Sequence, residues 1–537
     1  MSTMTAHLDS APRSAFNPWI VAVAVVVPTF MELLDTTIAN VALRYIAGGL
    51  SAAETDSEWV ITSYLAANAL ILTMSGWLSI RLGRRNYFLI SIAVFTIASA
   101  LCGMATSLPE IILFRALQGL AGGGLQPCSQ GVLLDSFPRE KQGAAMSVFG
   151  MAALTGPVVG PTLGGWLVVN YDWRWIFYIN IPIGVLAFVS SYFLVQDPDY
   201  LVEQRKKANA QTFRFDVIGL GLLAIAVSCW EILLSKGQEW DWLWDPFGRI
   251  QTLVILIVIG VFAFVIREIR TKDPLIDLRV VRERNLAASC VILFCAFGVL
   301  YGASIALPQM LQQLFNYDAL HAGYILSPGG ISSISMLVIM GYLMGRGMDA
   351  RWPIMLGLLL IAASNYWMAM LNLDVSPWDF IAPRLVLTAG LGLIFSPINV
   401  AALLYTPQAS RPSAIALISL LRNEGGSVGT SLFQTLVQRR EQFHSSRLND
   451  NLDSLNPKVV DFLAVGQDIY HYNGSGASVA HDMALQSLSD LRFQQAASLA
   501  YFDVFWLAAL LGVALVPLIL LMKKSVAQKQ NAVTSES

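Results

Sequence analysis

Fourteen stretches of the chain are apolar over the length a helix needs to cross a bilayer, near 19–42, 58–80, 86–106, 109–134, 142–169, 175–195, 216–235, 249–270, 287–313, 321–345, 353–372, 379–405, 411–437 and 502–522. Roughly 20 residues rising ~1.5 Å each cover the hydrocarbon layer. Polar residues collect between the runs. The pattern predicts an all-α polytopic membrane protein, and an even count places both termini on one side. Basic residues choose that side. With the N-terminus inside, the inner segments hold 22 Lys and Arg, from Arg13 to Lys529, and the short outer loops hold four: Arg44, Arg174, Lys236 and Arg249. This asymmetry predicts cytoplasmic termini.

Two regions interrupt the rhythm of hairpins. A charged inner stretch from Gln196 to Phe215 and two flanking spans separate six helices from six. The expected organisation is a cytoplasmic tail 1–18, a six-helix bundle 19–195, an inner loop with two extra spans 196–285, a second six-helix bundle 286–522, and a cytoplasmic tail 523–537. The second bundle carries a polar outer loop, 438–500. Its start reads as a continuation of the thirteenth span, and Met483 to Leu499 reads as an amphipathic helix leading into the last. Leu485, Leu488 and Leu491 recur there at helical spacing, which reads as a partner-docking stripe or as a solvated spacer.

The halves echo one another. Arg115 is followed by Gly119, Gly122–Gly124 and Pro127; Arg384 is followed by Gly390, Gly392 and Pro397. Transporters built from repeated halves leave such a trace.

Composition narrows the class. Hydrophobic residues make up 55 % of the chain, charged residues only 13 %, and mean hydropathy is +0.59. A soluble chain carries roughly 25 % charge. The net charge of −2 gives no case for nucleic acid. The five cysteines lie in apolar runs without metal-ligand spacing, and His444, His471 and His481 read as solvated, so no metal site is expected. The first 17 residues lack the basic-then-apolar form of a cleaved leader, so the run from Trp19 is expected to be a retained span.

Against this apolar background the buried charges stand out. Glu32 and Asp35 lie three apart in the first span and share one helix face. An acid there costs on the order of 2.5–3.5 kcal/mol and normally faces a protein interior or a water path. Asp35 and Arg115 fall at matching depth, ~10 Å in, so an ion pair between them is expected. The pair reads either as part of a proton path, with Glu32 the titrating group, or as a static brace. Arg422 and Glu424 lie two apart in the thirteenth span and must point to different sides. Glu424 is expected either at the central cavity, meeting a proton or cation, or packed beside Gly425 and Gly426. In the fifth span Gly156, Gly160 and Gly164 form one small-residue stripe, with Gly165 beside it and Pro157 and Pro161 inside it. Between the second and third spans, Gly76, Gly83, Arg84 and Arg85 read as a tight basic turn packed on a neighbour.

These residues resemble the major facilitator superfamily, and within it the fourteen-span drug:proton antiporter branch of the EmrB type, over nearly the whole chain. Leu34 to Leu43 resembles the first-span signature, and Arg115, Gln118 and Gly119 match the fourth-span motif whose arginine is assigned to proton coupling. Gly156 to Gly165 matches the fifth-span antiporter motif. Trp173 to Pro182, Leu307 to Gln309 and Arg422 to Gly429 resemble further family patterns. One position departs: the family's inner turn has an acid where this chain has Ile80.

The resemblance implies two six-helix bundles around a cavity, two additional central spans and alternating access. It implies proton coupling through Glu32, Asp35, Arg115 and Glu424, and a substrate cavity that includes Gln118, Asn40, Arg422 and Gln309. It implies export of small amphiphilic compounds across an inner membrane, powered by the proton motive force without a cofactor. A periplasmic adaptor and an outer-membrane channel are the implied partners. The competing readings are a proton-independent facilitator or lipid flippase on the same fold, a non-transporting sensor, and a membrane enzyme. The last has no nucleophile–base pair or phosphate loop in its favour.

Overall fold

The computed structural model describes residues 17–210, 216–271, 278–450, 452–453, 455–473 and 476–526. Most of both expected tails, including Arg13 and Lys529, lies outside the described residues. Within them every regular element is helical, and twelve helices are long and apolar enough to cross a membrane.

The first bundle comprises α1 (Pro18–Gly49), α2 (Trp59–Leu82), α3 (Arg84–Met104), α4 (Leu108–Gly122), α5 (Leu125–Ser136), α6 (Gln142–Asn170) and α7 (Asn180–Leu194). After α8 (Asp199–Ala210) comes the central pair, α9 (Val217–Lys236) and α10 (Arg249–Arg270). The second bundle holds α11 (Arg284–Phe315), α12 (Pro328–Gly345), α13 (Arg351–Ala369), α14 (Pro377–Leu404) and α15 (Arg411–Asn449). Beyond α16 (Pro457–Tyr472) it closes with α17 (Ala477–Ala514).

Two expected spans are missing from the twelve, each for a visible reason. The run at 109–134 is not one helix: the ladder ends at Gly122–Gly124, and the chain restarts as α5. These glycines let α4 press on α2, because a Cβ on Gly123 would meet the Asn68 carbonyl and the Leu72 amide. The run at 411–437 is one helix, α15, but Arg422, Asn423 and Glu424 lower its hydropathy. It packs on α11, α17 and α2.

The bundles meet where α6 packs on α12 and where α2 packs on α15. Apolar side chains fill the interior of both halves as one cluster that includes Phe88, Phe95, Phe149, Phe297 and Phe395. The outer surfaces are apolar too. Ile255, Val258, Ile259 and Phe262 on α10, and Val185, Leu186, Val189 and Phe193 on α7, are exposed, as helices facing lipid require. The α9–α10 pair attaches to the first half through α2.

The stretch 438–500 is more ordered than a spacer. α15 runs on to Asn449, α17 begins at Ala477 and enters the bundle unbroken, and α16 packs against α17. Gly466 lies against Ala484, and Tyr470 and Ser487 share a hydrogen bond of 2.7 Å. Leu485 and Leu491 stay exposed.

Candidate transport site

The first-span acids sit in different surroundings, although they share a face. Asp35, 2 % exposed, accepts hydrogen bonds from Arg115 Nη1 at 2.6 Å, Gln118 Nε2 at 3.0 Å and Asn180 Nδ2 at 2.7 Å. Arg115 is itself fully buried, donates through Nε to the Val60 carbonyl at 3.2 Å, and lies 4.2 Å above the Tyr64 ring. A buried ion pair is tolerable only when the remaining donors and lone pairs are also satisfied. Here α1, α2, α4 and α7 all contribute, and Arg115 Nη2 and Asn180 Oδ1 are the atoms left without a partner among these groups. The expected Asp35–Arg115 pair is therefore present, with Gln118 as part of it. Asn180, whose role sequence reasoning did not assign, is its fourth member.

Glu32, also 2 % exposed, has no basic side chain in ion-pair contact among the described residues. It accepts from Asn68 Nδ2 at 3.1 Å and from Gln126 Nε2 at 2.6 Å. The Gln126 carbonyl oxygen in turn accepts from Arg422 of the second half. Arg422, 1 % exposed, lies among the rings of Phe149, Phe297 and Phe395, 5.4–5.8 Å from their centroids. Glu32 and Arg422 are thus joined through one amide that belongs to neither helix.

A cavity of about 210 Å³ opens above this floor. Glu32, Asn68, Gln126 and Tyr64 lie at its depth, Tyr301 and Ile305 form its second-half wall, and Asn40 and Gln434 are exposed at its rim. Of the four expected substrate contacts, only Asn40 lines it. Gln118 is engaged by Asp35 and Arg115, and Arg422 by Gln126. Gln309 continues the row of Tyr301 and Ile305 one turn past the wall and is exposed.

Of the two places open to Glu424, the structure shows the packed one. Glu424 accepts from Trp230 Nε1 on α9 at 2.8 Å, and its carboxyl group meets that of Glu231. Glu231, not Glu424, lines the cavity. An acid within the otherwise apolar run 217–235 is the signal that was available for it.

At the opposite end the halves touch. Gly76 lies on the backbone of Pro412 and Ser413, Gln130 Nε2 donates to Asn399 Oδ1 at 2.7 Å, and Ser396 Oγ donates to the Gly143 carbonyl at 2.6 Å. The cavity is therefore accessible from the end that carries the 438–500 extension and sealed toward the other. Gly83, at φ +84°, makes the turn from α2 to α3. Arg84 is buried against Asp135 and Tyr200, and the Arg85 amide donates to Asp197 at 2.8 Å. In the fifth-span stripe, Gly156 faces Leu33, Gly160 faces Thr37 and Gly164 faces Ile38, so α6 rides on α1 beside both acids. Gly165 faces open space, and α6 stays helical through Pro157 and Pro161.

The internal echo is imperfect. Arg384 is as buried as Arg115, but its Nη2 donates to a hydroxyl, Ser304 Oγ, at 2.8 Å, and its Nε and Nη1 have no partner. The acid–base pair exists in one half only.

Comparison with known proteins places this geometry. The profile of the Major Facilitator Superfamily matches residues 26–430. The chain is 33 % identical to the multidrug export protein EmrB of Haemophilus influenzae over 495 residues, covering 91 % of this chain and 93 % of that protein. It is also 33 % identical to EmrB of Escherichia coli K12 over 448 residues, covering 82 % and 84 %. The solved structure of the human organic anion transporter MFSD10 (TETRAN) covers 93 % of this chain and 100 % of its own at a TM-score of 0.56 and 13 % identity, a likeness of fold alone. A helical protein with paired bundles, a cavity between them and these relatives belongs to the major facilitator superfamily, in its EmrB-type branch of efflux permeases, and is a multi-pass inner-membrane transporter rather than an enzyme.

Proposed function

We propose that the protein is an antiporter that exchanges inward-moving protons for outward-moving amphiphilic drugs or toxic organic compounds, powered by the proton motive force with no bound cofactor. The observation that carries this reading is Glu32. It is an acid buried at the floor of the cavity, held by two amides and by no cation. An amide tolerates a neutral carboxyl as well as a charged one, because its N–H and C=O can serve either form. Asp35, locked to Arg115, orients the helix that presents Glu32. In this reading the chain spans the membrane fourteen times, with α4–α5 and α15 added to the twelve apolar helices and both termini cytoplasmic. The sealed end faces the cytoplasm.

The same reading makes the protein the permease of a tripartite pump. The helical extension of α15, α16 and α17 supports it, because it presents exposed Leu485 and Leu491 at the open end of the cavity, where an adaptor would receive cargo.

The test is proton-driven export in everted vesicles. Glu32→Gln is expected to abolish gradient-dependent export while the protein inserts and binds cargo. Export by that variant at the native rate refutes coupling through Glu32, and export that survives collapse of the pH gradient identifies a facilitator. Deletion of 445–495 is expected to abolish adaptor cross-linking, and unchanged cross-linking refutes the docking role.

A further inference from the structure

The side chains lining the cavity include three carboxylates, Glu32, Glu58 and Glu231, and no Lys, Arg or His. Glu58 is answered by Lys236 at 2.7 Å. Glu32 is held by amides. Glu231 remains. It is 3 % exposed and belongs to α9, the first helix of the central pair. Its partners are the Glu424 carboxyl and Ser427, and it has no basic side chain in ion-pair contact among the described residues. Two facing carboxyl groups in a wall of low polarity cannot both be charged unless a cation joins them. Buried basic groups of the surrounding helices are committed elsewhere: Lys236 to Glu58 and Glu239, Arg422 to Gln126, Arg115 to Asp35.

Two rings flank the same space. Tyr64 lines the cavity at 1 % exposure. Across the cavity the ring of Tyr301 adds an aromatic surface, and Leu33, Ile61, Leu65 and Ile305 supply the apolar wall. An acid without a cation, aromatic rings and apolar walls together suit one class of guest.

We propose that the cavity selects amphiphilic organic monocations, and that Glu231 of the central helix pair is the counter-charge that specifies them. This rests on the reading of the cavity as the cargo site. It gives the central pair a task beyond linking the bundles: α9 brings a recognition residue that neither bundle contains. It also divides the work between two acids, Glu32 for the proton and Glu231 for the cargo.

The test is binding to the purified full-length protein in the absence of a pH gradient, with ethidium as the cationic probe and 8-anilinonaphthalene-1-sulfonate as an anionic amphiphile. The native protein is expected to prefer ethidium. Glu231→Gln is expected to weaken ethidium binding by about tenfold or more, with the anionic probe bound as before or more tightly, and Glu231→Asp is expected to restore most of the loss. Ethidium bound by Glu231→Gln as tightly as by the native protein overturns the proposal. So does an equal loss of both probes, which marks Glu231 as a packing residue, and so does a native preference for the anion. Because no gradient is applied, failure of proton coupling at Glu32 leaves this result untouched, and the converse holds for the vesicle assay.

Discussion

Arg422 of the second half donates a hydrogen bond to Gln126 of the first, and Gln126 donates in turn to Glu32. The two bundles are therefore joined, at the floor of the cavity, by an amide that donates to the acid on one side and accepts from a guanidinium on the other, beside a longer contact from Asn423 Nδ2 to Asn68 Oδ1 at 3.4 Å. Separation of the halves strips Arg422 of its acceptor and leaves Gln126, which belongs to the first half, with Glu32.

Gln126→Leu is expected to uncouple the protein rather than unfold it. The change leaves Glu32 with Asn68 alone and leaves a buried guanidinium without its acceptor, a cost on the order of 1–3 kcal/mol. Gradient-driven export is expected to fall at least tenfold in vesicles, with normal insertion. Gln126→Glu places an acid beside both groups and is expected to lock Arg422, giving equal loss with a raised melting temperature.

Arg115→Lys is expected not to rescue Arg115→Ala. The guanidinium serves Asp35, Gln118 and the Val60 carbonyl at once and lies over Tyr64. A single ammonium cannot reproduce that planar arrangement. Both variants are expected to lose most transport, and breaking the buried pair is expected to lower stability by about 3–5 kcal/mol. Thermal unfolding in detergent, with Asp35→Asn to complete the double-mutant cycle, measures the coupling.

The glycine stripe of α6 makes a paired prediction at two positions five residues apart. Gly160→Ala drives a methyl group into Thr37 and is expected to separate α6 from α1 and reduce both stability and export. Gly165→Ala meets nothing within 4 Å and is expected to be neutral or slightly stabilising, by up to about 1 kcal/mol from helix propensity. Loss of transport in Gly165→Ala alone contradicts the packing account.

The inner turn tests how this chain manages without the family's acid at position 80. Arg84 is instead held by Asp135 and Tyr200, and the Arg85 amide by Asp197. Asp135→Asn is expected to loosen the sealed end. A Ser79→Cys reporter in that background is expected to react faster with a membrane-impermeant maleimide, severalfold over the same cysteine with Asp135 intact, because Ser79 is buried there beside Pro412 and Arg84.

Much of this was legible before any coordinates. Length and hydropathy suffice for apolar helices, because a bilayer leaves the backbone few alternatives. Asp35 and Arg115 could be paired from depth alone, since a buried acid and base at one level have few other partners. The amides around Glu32 could not. Asn68 and Gln126 are ordinary polar residues in sequence, and only the approach of α2 and α5 makes them ligands of an acid. The break at Gly122–Gly124 was hidden for a related reason: three glycines within an apolar run read as packing, whether or not the helix continues. Two-residue spacing fixes that Arg422 and Glu424 diverge but not which neighbour each meets, so the choice between cavity and packing for Glu424 stays open until α9 supplies Trp230 and Glu231.

The length of α17 has a mechanical consequence. It runs from Ala477 to Ala514 as one helix of 38 residues, and its part up to residue 500 belongs to the 438–500 extension. At ~1.5 Å per residue it is a stiff rod of about 57 Å, so a tilt of about 5° at its bundle end swings the far tip by about 5 Å. Whatever grips that tip feels each stroke of the machine, and a clamp there would stall the stroke without ever touching the cavity.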